Sequence, residues 1–136
     1  MAAELTFDMS QVLPFARSIM PMPASEGMRG FGLVRNGEVV AAALYEGFNG
    51  HNIWVHCCAV PGRHWMNRLF LHTGFRYPFV TCGVSRLSAY VSTSNEDSVR
   101  FVRHCGFEEE ARLRGAAADG GDLIVFVMTP ETCRYI

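Results

Sequence analysis

The stretch from Val84 to Thr129 constrains the fold most, because it reads as a strand, a short helix and two further strands. The first strand ends at Ser94-Asn95, and both residues are of the type that caps helix N-termini. The helix that begins there ends at Gly106-Phe107, where a glycine suits a left-handed helix cap and the phenylalanine suits a core position. Strand-like runs then cover residues 108–116 and 122–129, with a hairpin turn at 119–122 between them.

The first half of the chain supplies the remaining elements. Apolar residues at helical spacing predict a helix over 8–20, capped by Asp8 or Ser10 and with Pro14 in its first turn. A meander of three antiparallel strands should follow, with the Asn36-Gly37 turn between the first two; these strands cover 31–34, 39–46 and 53–60. A second amphipathic helix is predicted over 64–79.

Because a helix joins the strand at 53–60 to the strand at 85–92, these two strands should run parallel with a right-handed crossover. The strand at 39–46 is apolar at nearly every position, which is typical of a strand covered on both faces. The order of elements therefore predicts an α/β fold: one mixed, mostly antiparallel sheet with helices on both faces.

Composition restricts the functional classes. The chain of 136 residues is 49% hydrophobic and carries a net charge of −1, which predicts one domain over 1–136 and no nucleic-acid partner. No apolar run is long enough for a membrane span, and no signal peptide is recognisable. The five cysteines lack metal-ligand spacing, so we expect reduced thiols, no metal site and a cytoplasmic protein.

The Val84–Thr129 pattern resembles the C-terminal half of the GCN5-related N-acetyltransferases (GNAT). The order of elements carries the resemblance, together with Asn95, Ser98, Gly106-Phe107 and Arg114. The similarity extends over roughly residues 28–130 and is greatest to the branch that contains the ribosomal-protein N-terminal acetyltransferases. It implies acetyl-CoA as cosubstrate, an amine as acceptor and a parallel strand pair that splays apart to admit the pantetheine arm. It also implies that residues 1–27 form a reduced acceptor region.

The resemblance also locates the cofactor-binding residues. The strand end Cys58-Ala59-Val60 is expected to pair through its backbone with the pantetheine arm. The pyrophosphate is expected at the N-terminus of the following helix, assigned to Gly62-Arg63-His64-Trp65, where free N–H groups and the helix dipole favour anions. This segment has one glycine and a bulky Trp65 where relatives have a glycine-rich loop. Arg63 and Arg68 can supply compensating charge.

Asn95 and Ser98 are the candidates on the next helix. By resemblance the Asn95 side chain hydrogen-bonds the pantetheine region, and it also suits a helix cap. Many relatives place on this helix a tyrosine that supports the leaving thiolate, but no tyrosine is present here. Ser98 is the nearest replacement.

His56 and Glu46 are the candidate general bases, since an attacking amine must lose a proton. His56 lies on the central strand, and histidine titrates near neutral pH. The backbone N–H groups around Cys57–Ala59 are expected to stabilise the oxyanion. A catalytic cysteine at 57 or 58 is disfavoured, because direct transfer needs no covalent intermediate.

The sequence thus predicts an N-acetyltransferase that transfers acetyl directly to an amine in a ternary complex. Two alternatives stay open. One is a GNAT-shaped module that binds CoA or is inert, which the atypical loop and the missing tyrosine favour. The other is an interaction subunit that uses its apolar ends. The acceptor is undetermined, and a homodimer is compatible with the sequence.

Overall fold

The computed structural model of the protein describes residues 3–21, 27–62 and 65–136. Within these ranges the chain forms seven strands, three α-helices, a π-helical turn and a terminal 3-10 turn. In chain order they are β1 (Glu4–Thr6), α1 (Met9–Ile19), β2 (Arg29–Arg35), β3 (Glu38–Glu46), β4 (Asn52–Ala59), α2 (Arg68–Arg76), the π turn (Tyr77–Thr81), β5 (Arg86–Ser92), α3 (Glu96–Cys105), β6 (Glu108–Leu113), β7 (Leu123–Met128) and the 3-10 turn (Pro130–Thr132).

The strands form one mixed sheet in the order β1-β2-β3-β4-β5-β7-β6. Its neighbouring strands are antiparallel except β4 and β5, which run parallel and are joined through α2. The predicted fold class is confirmed, including the parallel pair formed by a strand-helix-strand crossover.

Helices cover both faces of the sheet. On one face, α2 and α3 contribute Phe70, Phe75 and Cys105 to the larger core, where they meet residues such as Leu87 and Phe126. On the other face, α1 packs Val12 and Ala16 against Ala42, Leu44 and Cys58 of β3 and β4. The run Val40–Tyr45 of β3 is buried throughout, as its unbroken apolar sequence predicted.

The predicted helix over 64–79 begins later and ends earlier. Asn67 is its N-cap: the side chain accepts a hydrogen bond from the Phe70 N–H at 2.7 Å, so the helix starts at Arg68. After Arg76 the helix widens into the π turn, where the Cys82 N–H donates to the Tyr77 carbonyl at 2.9 Å. The helix start assigned to Gly62–Trp65 is therefore wrong.

Two further expectations at the N-terminus are corrected. Asp8 caps α1, with Oδ1 accepting from the Ser10 N–H at 2.9 Å, so Pro14 is the sixth helical residue and not part of the first turn. A short strand, β1, also precedes α1 and pairs with β2 through residues such as Leu5 and Leu33. Its three residues are too few for a period-two pattern. Among the described residues, no helix is long and apolar enough to cross a bilayer.

Glycine substitutions provide a first test of the fold. Gly106 ends α3 at φ +109°, so Gly106→Ala is expected to destabilise the protein by about 1–2 kcal/mol. Gly74→Ala is the matched control, because Gly74 lies inside α2 and an added Cβ would meet the Tyr45 hydroxyl at 3.6 Å, an ordinary contact. It is expected to stabilise by about 0.5–1 kcal/mol. Urea unfolding measures both changes, and a shift of the same sign in both would contradict the α3 cap.

Candidate active site

The parallel strands β4 and β5 pair only at their beginnings. Their register covers Asn52↔Arg86, Ile53↔Leu87 and Trp54↔Ser88, and no further pairing connects the two strands as β4 continues to Ala59 and β5 to Ser92. The buried Ser88 reinforces the closed end, where its hydroxyl donates to Asn52 Oδ1 at 2.5 Å. The opening that lies beyond Trp54 and Ser88 is the splayed pair that the resemblance implied.

The register with β3 shows which backbone groups of β4 face this opening. The Val60 N–H donates to the Val40 carbonyl at 2.9 Å, and the β3–β4 ladder has no register shift. Because backbone groups alternate sides along a strand, the N–H of Cys58 also points toward β3, whereas those of Cys57 and Ala59 point into the opening. Of the residues 58–60 that were expected to contact the pantetheine arm, only Ala59 has an N–H that faces the opening. Cys57, which was not among these three residues, has a second such N–H.

His56 and Glu46 form one unit. The two side chains lie diagonally across the β3–β4 ladder, and His56 Nε2 is 2.5 Å from Glu46 Oε2. His56 is 7% exposed. The sequence offered them as alternative bases; the structure makes Glu46 the group that orients the His56 ring, which leaves Nδ1 as the ring nitrogen not engaged by Glu46.

Tyr90 and Trp54 complete this cluster, and the sequence did not single them out. The Tyr90 ring on β5 lies 5.4 Å from His56 and 5.9 Å from Trp54 between ring centroids, so it bridges β5 and β4 just past their last pair. Tyr90 is 42% exposed. Partial burial and the Glu46 charge raise the pKa of Tyr90, so its phenol stays protonated at neutral pH. The sequence placed Tyr90 within the strand at 85–92 and assigned it no role.

The start of α2 follows the open end of β4. Asn67 satisfies the Phe70 N–H, which leaves the N–H groups of Arg68 and Leu69 without an intrahelical partner. Arg68 is exposed at the first helical position. Gly62 belongs to a turn before the helix, at φ +77°. Arg63 and His64 lie outside the described residues.

Trp65 packs inward. Its ring lies edge-on to Phe70 of α2 and Phe101 of α3, at centroid distances of 5.8 and 4.9 Å. It is partly buried against the larger core. The bulk of this side chain therefore joins the first turn of α2, through Phe70, to Phe101 of α3.

Asn95 is the N-cap of α3, with Oδ1 accepting from the Ser98 N–H at 3.2 Å. The cap hydrogen bond uses only the side-chain oxygen of Asn95, and the side-chain amide nitrogen takes no part in it. Ser98 lies in the first turn and is half-buried. The preceding Ser94 donates to Asp119 Oδ2 at 2.7 Å, which fastens the start of α3 to the β6–β7 hairpin. The structure thus places Asn95 and Ser98 directly after the open end of β5.

Neither cysteine of β4 has the environment of a nucleophile. Burial raises the pKa of Cys58 to about 11, and burial also raises that of Cys57. Both thiols are therefore protonated at neutral pH, and the thiol form is a poor nucleophile.

Comparison with known proteins places this site in context. No protein-family model matches the sequence, and no curated protein matches it. Solved structures do match. The spermidine/spermine N-acetyltransferase SpeG from Vibrio cholerae, in mutant form, has a TM-score of 0.78 at 13% identity, with 96% of each chain covered. The ribosomal-protein-S18-alanine N-acetyltransferase from Escherichia coli has a TM-score of 0.74 at 20% identity, with 94% of each chain covered.

A third structure contains the cosubstrate. The N-acetyltransferase PseH from Campylobacter jejuni, in complex with acetyl coenzyme A, has a TM-score of 0.61 at 13% identity over 78% of this chain and 70% of that one. At such identities the likeness shows a shared fold. The protein has the GNAT acyltransferase fold, and its structural neighbours include polyamine as well as ribosomal-protein acetyltransferases.

Proposed function

We propose that the protein is an acetyl-CoA-dependent N-acetyltransferase whose active site is the opening between β4 and β5. The observation that carries the proposal is the placement of the buried His56 and its partly exposed partner Glu46 at the point where the two strands separate. In this position the His56 ring, which can accept a proton, lies on the same strand as the Cys57 and Ala59 N–H groups that face the opening. The GNAT fold of the structural neighbours supports the same reading.

The residues of the opening fit acetyl-CoA. The N–H groups of Cys57 and Ala59 suit the amide and carbonyl oxygens of a pantetheine arm laid along β4. The two free N–H groups at the start of α2, with the Arg68 side chain, suit the pyrophosphate. Asn95 offers its amide nitrogen at the opposite wall. His64, Gly62 and Arg63 remain predicted contacts of the same phosphate group.

The chemistry follows from the same residues. The acceptor nitrogen attacks the acetyl carbonyl, so a C–N bond forms and the C–S bond breaks. His56, oriented by Glu46, takes the proton that the amine loses, and a backbone N–H of the opening stabilises the oxyanion. Ser98 in the first turn of α3 supports the thiolate that leaves. The protonated thiols of Cys57 and Cys58 argue for direct transfer without an acetyl-enzyme.

A second candidate is a GNAT-shaped module that binds CoA without turnover. It is favoured by Trp65, which stands in the loop where relatives have glycine and packs between Phe70 and Phe101. A loop anchored in this way approaches phosphates less freely than a glycine-rich one. The two functions differ in whether an acetylated amine is produced.

Thermal unfolding with acetyl-CoA, followed by thiol release across an amine panel, separates the candidates. A ligand that binds the folded state raises its apparent stability, and turnover releases free CoA. The panel contains spermidine, a peptide with an N-terminal alanine, a lysine peptide and a small primary amine. Stabilisation together with thiol release supports the transferase, and stabilisation without release from any amine supports the binding module. The absence of both stabilisation and thiol release would contradict both candidates.

Arg68→Ala is expected to weaken acetyl-CoA binding by about 1–3 kcal/mol, the range for hydrogen bonds to a charged group. We expect Arg63→Ala to have an effect of similar size. Isothermal titration at low salt measures the dissociation constants. Arg17→Ala, an exposed arginine on α1, is the control and should leave binding unchanged. Wild-type affinity in Arg68→Ala would remove this residue from the phosphate site.

A further inference from the structure

A second concavity lies beside the beginning of β4, where β4 and β5 are still paired. It encloses about 460 Å³, a volume typical of small-molecule sites, and Ile53 at the beginning of β4 contributes to its wall. The opening begins beyond Trp54 and extends to Ala59. The strand from Ile53 to Ala59 spans roughly 20 Å, so the far end of the opening is distant from the concavity, whereas Glu46 borders the concavity and also pairs with His56.

Aromatic side chains form much of this concavity. The rings of Tyr45 and Tyr77 pack at a centroid distance of 4.9 Å, and Phe48 stands at the rim with 56% of its surface exposed. The Tyr45 side chain is buried and its hydroxyl donates to the Gly74 carbonyl at 2.5 Å, so Tyr45 supports the half-buried Tyr77 ring from behind and offers no free donor. Tyr77 opens the π turn, and such turns occur frequently at functional sites.

Arg29 supplies positive charge to this aromatic pocket. It stands opposite Tyr45 in the β2–β3 ladder, and its guanidinium donates to the Met28 carbonyl at 3.3 Å. No carboxylate in the described part of the chain forms an ion pair with it. Burial and a hydrogen bond with Cys82 raise the pKa of Tyr77, and the charge of Arg29 opposes that rise, which places the guanidinium near the phenol.

Glu46 also borders the pocket, but it does not neutralise Arg29. Its Oε2 is held by His56, which projects from the sheet face that α1 covers. Tyr45 and Ile53 belong to the larger core on the opposite face. The pocket thus combines an apolar aromatic wall with one cation that has no carboxylate partner among the described residues.

We propose that this pocket binds a small organic acid, in which a single carboxylate is joined to an apolar or aromatic body. A guanidinium offers paired N–H donors whose geometry matches a carboxylate. The Tyr77 and Phe48 rings would cover the apolar part of the ligand, and the ligand would remove the exposed Phe48 ring from water. The binding does not depend on acetyl transfer.

Phenylacetate is the probe, and its binding is measured by two-dimensional amide NMR of the full chain without acetyl-CoA. We expect saturable shifts at the amides of Tyr45, Phe48 and Tyr77. Phenylacetamide, which has the same shape without the charge, should bind about tenfold or more weakly. Arg29→Gln should weaken phenylacetate binding by a similar factor, and Arg17→Gln should leave it unchanged.

Several outcomes would overturn the proposal: no saturable shift, equal affinity for phenylacetamide and phenylacetate, or unchanged binding by Arg29→Gln. Inorganic phosphate binding as well as phenylacetate would also overturn it, because the aromatic wall would then contribute nothing. Arg29→Lys provides a second variant: it keeps the charge but not the paired donors, so binding intermediate between the wild type and Arg29→Gln is expected. Amide spectra confirm that each variant is folded.

Discussion

Replacing His56 with alanine is expected to slow acetyl transfer by about 10²–10⁴-fold while acetyl-CoA still binds, because the loss of a general base is a loss from the chemical step. Glu46→Gln keeps the size of its side chain but removes the carboxylate that holds His56 Nε2. We therefore expect a smaller loss from this variant than from His56→Ala. The turnover number with any accepted amine measures both.

The controls separate chemistry from folding. His56 is buried, so each variant is first tested for its unfolding midpoint and its acetyl-CoA affinity. His51→Ala is the matched histidine control, since His51 is exposed in the turn before β4 and should leave the rate unchanged. If His56→Ala and Glu46→Gln both retain rates within a few-fold of the wild type, the site works by positioning alone, with solvent as the base.

Ala59→Pro is expected to abolish high-affinity acetyl-CoA binding while preserving the fold. The Ala59 N–H points away from β3 and into the opening, so proline removes a donor from the site without breaking the β3–β4 ladder. The proline ring also occupies space beside the strand. The loss should exceed about tenfold in the dissociation constant, as expected for an unsatisfied polar group in the bound state.

Two further variants make this substitution interpretable. Ala59→Val adds a side chain of comparable size but keeps the N–H, and it should bind acetyl-CoA nearly as well as the wild type. Cys58→Pro removes an N–H that points toward Ala42 of β3, and it should destabilise the sheet instead. Normal binding by Ala59→Pro would show that the backbone of β4 does not contact the cosubstrate.

The sequence predicted the parallel pair and its crossover because these depend on element order, which local patterns reveal. It misplaced the start of α2 by several residues. Pro61-Gly62 is a strong break, yet residues 65–67 still lie outside the helix, which begins only where the Asn67 side chain caps it. The cap was visible as an asparagine three residues before Phe70, but Gly62 is also a residue type found at N-caps and it adjoins the Pro61 break, which favoured the earlier start.

The composition of the candidate site was predicted only in part. His56 and Glu46 were identified by residue type, but their pairing depends on the β3–β4 register, which the conformation of residues 47–51 sets. Tyr90 was missed because a tyrosine in an apolar strand is as typical of a core as of a site. Only the point at which β4 and β5 separate shows that its ring meets His56.

The most direct test of the proposed active site is a crystal structure of the protein with acetyl-CoA. We expect the pantetheine arm between β4 and β5, with its amide groups bonded to the backbone of Cys57 and Ala59. The thioester should lie within reach of His56, and the pyrophosphate should lie at the first turn of α2 beside Arg68. Acetyl-CoA bound elsewhere, or an opening from which the side chains of β4 and β5 exclude it, would contradict the account.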